Sequence, residues 1–487
     1  MKTHFKYILA GLFFISITAC KKTKNPEPQL TVSASTITFT PEGGTEDLSV
    51  SGNAGWSISN PVYAWLQLST TSGNSGSSVI HLTTLSENAT GATRSGILYI
   101  SSSNGQARRV TVSQTPTIYP GYNTSPIAPD MTGMSSNAVQ LAAKMRTGMG
   151  INFGNTMESP NEGDWQNSKI TESYIKFVKN LGFSAIRLPC NWVWSHLSDR
   201  KKAKIDPAWL ARVKEVVGWC VANDMYVVLN AHGDAGWLEN NVNALKQDSV
   251  NAMQKAIWEQ IATTMRDFDE HLIFAGANEP AADNAGQMAI LNGYHETFIK
   301  AVRSTGGRNS NRVLVVQGPH TDSYLTSDLM TTLPHDPTPN RMMLEVHSYS
   351  PATFTIVIDG DVSWGKMIYY WGAGNHSTIE PERNATYGEE SQMITEYGKM
   401  KKFVDNGIPV ILGEYAVWRR SPGLGKPTPM DQAMHNKSVD YWTTFSTKTM
   451  RANGLLPFWW EIGFMLDRKN NVIKDQRMYD ALKEGYK

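Results

Sequence analysis

Two glutamates, each at the end of an apolar run that reads as a strand, are the residues best placed to do chemistry. Glu279 follows Ile273–Ala277, and Glu414 closes Val410–Glu414. Cleaving an acetal bond calls for a pair of carboxyl groups on opposite sides of it. One gives a proton to the leaving oxygen; the other attacks the anomeric carbon or activates water. A separation of about 5–5.5 Å yields a covalent intermediate and retention, whereas a wider gap admits water and inverts. Arg187 by ion pairing and Tyr349 by hydrogen bonding would keep Glu414 ionised. Burial and a charged neighbour would raise the proton affinity of Glu279 and suit it to the acid/base role. Asn278 beside it is placed to bond a sugar 2-hydroxyl. On spacing alone, both glutamates could instead pair with basic residues at loop bases.

These groups need a scaffold that brings distant strand ends together. Strands are expected at Met149–Phe153, Ala185–Leu188, Tyr226–Asn230, Ile273–Ala277, Val313–Gln317, Met342–His347, Val410–Glu414 and Leu455–Trp460. Helical spacing of apolar residues lies between most of them. Trp209 to Val221 is one case, opened by Asp206 as N-cap with Pro207 in the first turn. Others are Ala252–Phe268, Met288–Val302 and Met393–Val404. Strands alternating with helices in this number fit a (β/α)8 TIM barrel, whose chemistry gathers where the strands end. A doubly wound sheet is the alternative, but no glycine-rich phosphate loop follows the first strand. The strand ends deliver Asn155, Arg187, His232, Asn278 with Glu279, Gln317, His347 with Tyr349, Glu414 and Trp460. Burying that many polar groups at one mouth costs free energy unless each is paired, so their convergence points to function.

The 487 residues carry 45 Lys+Arg against 44 Asp+Glu, a formal charge of +1. That balance argues against a nucleic-acid partner, which needs a basic surplus. With 15 Trp and 18 Tyr, the chain has aromatic faces to offer a neutral, hydroxyl-edged ligand. Residues 1–20 read as a lipoprotein signal: Lys2 and Lys6, an apolar run from Tyr7 to Ile17, then Thr18-Ala19-Cys20. The run is shorter than the roughly 20 residues a spanning helix needs. Ile17-Thr18-Ala19-Cys20 resembles a lipobox, with Cys20 lipidated; an ordinary cleaved signal is the alternative. The expectation is an outer-membrane lipoprotein, held by its lipid and facing either the cell surface or the periplasm. Residues 21–28 form a polar tether. Residues 29–115 hold short alternating runs such as Leu48–Ser51, Val79–Thr83, Gly96–Ile100 and Val110–Val112, the pattern of a small all-β sandwich. Residues 116–133 read as a linker and residues 134–487 as the catalytic domain. Cys190 and Cys220 form no disulfide framework or zinc pattern and are expected as buried fillers.

Gly150–Thr156, Ile186-Arg187-Leu188-Pro189, Asn230-Ala231-His232, Ala277-Asn278-Glu279-Pro280, His347-Ser348-Tyr349, Gly413-Glu414-Tyr415 and Trp459-Trp460 occur in that order. The set resembles glycoside hydrolase family 5, a family of retaining (β/α)8 enzymes. The resemblance implies Glu279 as acid/base and Glu414 as nucleophile. Around the sugar it implies Arg187, His232, Asn278, His347, Tyr349 and Trp460. Gly154-Asn155-Thr156, together with His196, is similar to subfamily 4, which cleaves β-1,4-glucan backbones. Gly43-Gly44, Trp56, Trp65 and Val110–Gln114 resemble the immunoglobulin-like BACON domain, with both tryptophans expected in its core. The whole layout resembles outer-membrane xyloglucan endo-glucanases, so xyloglucan is the favoured substrate. Unbranched or mixed-linkage glucan, or mannan, is the alternative within the fold, and a non-catalytic glycan-binding lipoprotein is the alternative outside it. Trp237, Trp364, Trp371 and Trp418, in loops after strands, could stack on sugar rings or pack in the loops. Gly233, Ser348 and Ala416 depart from the family's usual His, Tyr and Gly. No metal or organic cofactor is required, and a monomer is expected.

Overall fold

The computed structural model describes residues 27–90, 92–165, 167–423 and 425–487. The expected signal and Cys20 lie outside them. The chain divides into two compact units, Met1–Thr117 and Ile118–Lys487. The described part of the first is all β. Leu30–Val32, Thr45–Gly52, Gly76–Thr84 and Leu66–Leu68 form one sheet in that order. Thr36–Phe39, Ala107–Gln114, Arg94–Ser102, Trp56–Ser59 and Ser72–Gly73 form the other. Alternation along each strand sends Leu48, Val50, Ile80 and Leu82 from one sheet into a core with Ile58, Leu98, Ile100, Val110 and Val112 from the other. Trp56 and Trp65 belong to that core.

The second unit is an eight-stranded closed parallel barrel. Its strands are β1 (Met149–Asn152), β2 (Phe183–Leu188), β3 (Tyr226–Asn230), β4 (Leu272–Ala275), β5 (Leu314–Gln317), β6 (Met342–His347), β7 (Val410–Tyr415) and β8 (Leu456–Trp459). The closing seam pairs Gly150 with Phe458 and Ile151 with Trp459. The strands are buried almost throughout, as expected where helices cover one face and the barrel interior the other. Period two then sorts the side chains. Ile186, Leu188, Val227, Leu229, Val316, Leu344 and Val346 join the layer beneath the helices. Ala185, Val228, Val315, Met343 and Ile411 fill the interior together with Leu141 and Met145 of helix Ala138–Met145. One step of two further along these strands stand Arg187, Asn230, Gln317, Glu345 and Gly413. The interior is thus apolar below and polar at the strands' C-terminal ends.

Helix Pro207–Ala222 starts where its cap residue dictates, Asp206 Oδ1 accepting from Ala208 N at 2.9 Å. Residues 118–133 differ from the linker expected there. Tyr122 N donates to Glu259 Oε2 at 2.6 Å, and Ile127 pairs with Gly306, so this stretch is part of the second unit. Its Pro and Gly content marked irregular backbone, which does not imply a free one. Cys190 and Cys220 are both buried. Among the described residues no helix is long and apolar enough to cross a membrane.

Candidate active site

Arg187, fully buried on β2, organises the barrel mouth. Its Nε donates to Glu345 Oε1 at 2.6 Å. Its Nη1 donates to Asn152 Oδ1 at 3.0 Å and to Glu414 Oε1 at 2.8 Å. Its Nη2 donates to Asn278 Oδ1 at 2.7 Å. The guanidinium fork therefore ties β1, β6, β7 and the loop after β4 to one point, which a flexible ammonium could not do. Glu414 is buried, and its second oxygen accepts from Tyr349 OH at 3.0 Å. Both oxygens of Glu414 are thus held in place by donors, one from each side.

Glu279 stands opposite, its side chain 44% exposed, with Oε1 2.7 Å from His347 Nδ1. One oxygen each of Glu279 and Glu414 and a ring nitrogen of His347 all lie within 4.8 Å of one another. That spacing could hold a cation; here Arg187 and His347 bring the positive charge. Burial disfavours a charged His347 ring, but the charge of Glu414 and hydrogen bonds to Glu279 and Glu345 raise it to about 9. The sequence reading had burial raising the proton affinity of Glu279. Burial does act that way, but the hydrogen bond and charge of His347 outweigh it and leave the Glu279 carboxyl below its ordinary range. In the unliganded protein the pair shares one proton, resting on His347.

Strand ends alone do not account for this site. Glu345, two residues before His347 on β6, is fully buried. It accepts from Arg187 and, at 2.6 Å, from Gln317 Nε2, and lies 3.3 Å from His347 Nε2. Burial would raise its carboxyl, but Arg187 and His347 bring it to about 2. The glycine at 413 follows from this carboxylate, because a Cβ there would stand 2.0 Å from Glu345 Oε1. Asn152 donates to Gly413 O at 2.8 Å and so ties β1 to β7 beneath Glu414. Glu239, in the loop after β3, accepts from Glu279 N at 2.9 Å and from Gly233 N at 3.3 Å. Burial raises its carboxyl to about 6. Gly233 has φ of +55°, a backbone that a side chain would strain. Period two from His347 would have revealed Glu345, whereas nothing local in the sequence marks Glu239.

With this geometry in hand, the chain can be set beside known proteins. The family model for cellulase (glycosyl hydrolase family 5) matches residues 144–465. The chain belongs to glycoside hydrolase family 5. The xyloglucan-specific endo-β-1,4-glucanase BoGH5A of Bacteroides ovatus is 31% identical over 471 residues, 92% of this chain and 89% of that one. Endoglucanase A of Paenibacillus barcinonensis is 30% identical over 400 residues, 75% of this chain and 94% of that one. The solved Bacteroides ovatus GH5 xyloglucanase in complex with a XXXG heptasaccharide has a TM-score of 0.69 at 28% identity, covering 94% of this chain and 100% of that one. A GH5-4 broad specificity endoglucanase from Ruminococcus champanellensis with bound cellotriose has a TM-score of 0.59 at 28% identity, covering 72% of this chain and 98% of that one.

Around the family 5 centre, His232 stacks on Trp460 at 5.5 Å between ring centroids, 14° from parallel. Burial, and then Arg187 and His347, push the His232 ring well below its usual range, so it stays neutral. Asn155 has a left-handed backbone (φ +54°), and its N–H donates to Glu158. His196 lies apart from the cluster, stacked on Trp209 at 3.7 Å, and burial lowers it to about 4. Trp237 Nε1 donates to Asp234 Oδ2 at 3.0 Å within its own loop. Trp364 is 59% exposed. Trp371, one of the loop tryptophans considered for stacking, is fully buried, its Nε1 bonded to Gly388 O at 2.8 Å. Trp418 is half-buried and meets Phe464 edge-on at 4.3 Å.

Proposed function

We propose that this family 5 hydrolase is a retaining endo-β-1,4-glucanase acting on plant cell-wall β-glucan, with xyloglucan as favoured substrate. The observation that carries the mechanism is the pair of carboxylate oxygens within 4.8 Å across the barrel mouth. That gap is closer to the retaining separation than to the inverting one and too small for the water an inverting enzyme interposes. Glu414 is the nucleophile: Arg187 and Tyr349 hold its two oxygens fixed in direction. Glu279 is the acid/base, since its exposed carboxyl can meet the leaving oxygen and then a water. A double displacement follows, in which Glu414 attacks the anomeric carbon as Glu279 protonates the departing oxygen. Water deprotonated by Glu279 then releases the sugar from Glu414. Asn278, held by Arg187, is oriented to bond the 2-hydroxyl, and Trp460 with His232 offers a flat apolar face to the ring. The xyloglucan preference rests on relatives named as xyloglucanases, and others named as broad-specificity endoglucanases make unbranched glucan the alternative. We also read the chain as an exported lipoprotein anchored at Cys20, with a BACON-type first unit as spacer.

The test is product analysis on xyloglucan, carboxymethyl cellulose, mixed-linkage glucan and mannan, with Glu279→Gln as control. Rapid viscosity loss on xyloglucan with retained anomeric configuration supports the proposal. Azide should revive Glu414→Ala while inverting the product anomer. Near-normal turnover of that variant without azide removes Glu414 from its role.

A further inference from the structure

Glu279 sits on an irregular stretch after β4. No ladder fixes the backbone there, so the direction of the side chain depends on what each peptide group is tied to. Ala277 N donates to Gln317 Oε1 at 2.9 Å, and Pro280 O accepts from His320 N at 2.8 Å. Glu239 supplies two more ties. Its Oε1 accepts from Glu279 N at 2.9 Å, and its backbone carbonyl accepts from Ala281 N at 2.9 Å. The same Oε1 also accepts from Gly233 N at 3.3 Å. A carboxylate holds such N–H groups about twice as strongly as a neutral acceptor does.

Glu239 comes to this place through a left-handed turn. Gly233, Asp234, Ala235 and Gly236 follow one another with φ of +55°, +47°, +59° and +69°. Asp234 and Ala235 are strained there, and such strain persists only where the surroundings over-determine it. On one side the Asp234 carboxylate accepts from Val193 N at 2.8 Å and Trp194 N at 2.7 Å, which ties the turn to the loop after β2. On the other, Asn241 Nδ2 donates to Gly236 O at 3.1 Å, and Asn241 O accepts from Tyr294 OH of helix Ala285–Ser304 at 2.9 Å. The turn is thus a bracket fixed at both ends, and Glu239 carries its position across to Glu279.

We infer that Glu239 is a positioning residue for proton transfer: it fixes the peptide of Glu279, and with it the line from the Glu279 carboxyl to the leaving oxygen. It acts through Glu279 rather than on the sugar, and the assignment rests on the acid/base reading of Glu279 above.

The experiment measures kcat/KM for the full chain and for Glu239→Ala, Glu239→Gln and Glu239→Asp on two probes. One is the fastest-cleaved of the four polysaccharides, whose leaving oxygen needs a proton. The other is dinitrophenyl cellotrioside, whose leaving group departs without one, so that kcat/KM reports attack by Glu414 alone. Circular dichroism and thermal unfolding check that each variant is folded. Glu239→Ala should lose about 10- to 100-fold on the polysaccharide, the cost of a misplaced catalytic group, and stay within about twofold on the aryl glycoside. Glu239→Gln should recover most of that loss, because its amide oxygen can accept from the same two N–H groups. Glu239→Asp keeps the charge but draws the oxygen back by one methylene. It should fall between the two, and it serves the test if the alanine variant does not fold. Equal losses on both probes in folded protein would overturn the inference, as would no loss on either. A Gln variant as slow as Ala would overturn it too, since charge rather than position would then matter. Glu279→Gln is the control: a loss confined to the polysaccharide keeps the acid/base reading, and any other pattern removes that reading together with this inference.

Discussion

Replacing His347 by Asn should shift the alkaline side of the pH–activity profile. Asn keeps a hydrogen-bond donor near the Nδ1 position, 2.7 Å from Glu279 Oε1, but cannot carry the proton. In the wild type, Glu279 and His347 titrate as a pair, and the pair's last proton is lost near the His347 value of about 9. On the proposed mechanism, once that proton is gone Glu279 has none to give the leaving oxygen. With Asn in place, Glu279 titrates alone as a carboxyl group. Its burial is then opposed only by the charge of Arg187, and the group still ionises well below the imidazole it replaces as proton store. The alkaline limb of kcat/KM, which reports the free enzyme, should therefore move acidward by more than one unit, each unit being about 1.4 kcal/mol. The assay is initial-rate hydrolysis of a soluble glucan between pH 4 and 10, since a natural leaving group needs the acid. Stability gives a second readout. A ring raised from 6.5 to about 9 stabilises the folded state by ~3 kcal/mol. That stabilisation is fully present below pH 6.5 and lost as pH rises through 9. The stability gap between wild type and variant should narrow across the same window. An alkaline limb that stays in place in His347→Asn would refute the shared proton.

Three further outcomes follow from the same contacts. Glu345→Gln leaves Arg187 and His347 short of a buried counter-charge and should cost about 3–5 kcal/mol in denaturant unfolding at neutral pH. Because the Glu345 carboxyl is lowered to about 2, its stabilisation is present above pH 4.5 and disappears as pH falls through about 2, where wild type and variant should converge. Gly413→Ala places a Cβ 2.0 Å from Glu345 Oε1 and should lower kcat at least about tenfold, with a smaller change in KM. Glu396 accepts from Ser348 Oγ at 2.5 Å and Ser350 Oγ at 2.6 Å, one on each side of Tyr349. Glu396→Ala should loosen the Tyr349–Glu414 bond and reduce kcat more than it raises KM, with Glu396→Gln restoring part of the rate; equal effects on both constants would mark a purely structural role.

What the sequence disclosed follows from where periodicity is strong. β3 and β6 run over the residues expected, because Tyr226–Asn230 is a continuous apolar run that turns polar at its end and Met342–His347 is interrupted only by Glu345 before its closing His347. Helix Met393–Val404 was expected as one piece but consists of Glu390–Gly398 and Lys401–Asp405, a break the apolar spacing does not record. Glu345 escaped notice because polar groups were sought at and after strand ends, whereas it sits inside β6 and points into the barrel. Glu239 reaches Glu279 only because the loop after β3 folds back, and a loop has no period from which to read its path. The tryptophans show the same limit. Trp364 and Trp371 belong to one long loop, yet one is exposed and the other is sealed against helix Gln432–Ala452, its backbone N–H bonded to Ser438 Oγ at 3.1 Å.

Counting charge at the mouth explains why a third carboxylate lies beneath the two that face the substrate. Glu279 and His347 together hold one proton, so the pair is neutral whichever of them carries it. Arg187 alone would then just balance Glu414, leaving nothing to favour the positive charge that builds on the sugar as its bond to the leaving oxygen stretches. Glu345 tips that balance. Bonded to Arg187 Nε at 2.6 Å, it shares the guanidinium with Glu414 and leaves the set one unit negative. Being fully buried, it adds this charge without presenting a second nucleophile to the anomeric carbon. Its field acts in a site where little water screens it, and it is fixed before substrate arrives. A carboxylate that never touches the sugar can thus favour its transition state, provided that Arg187 and His347 hold it ionised.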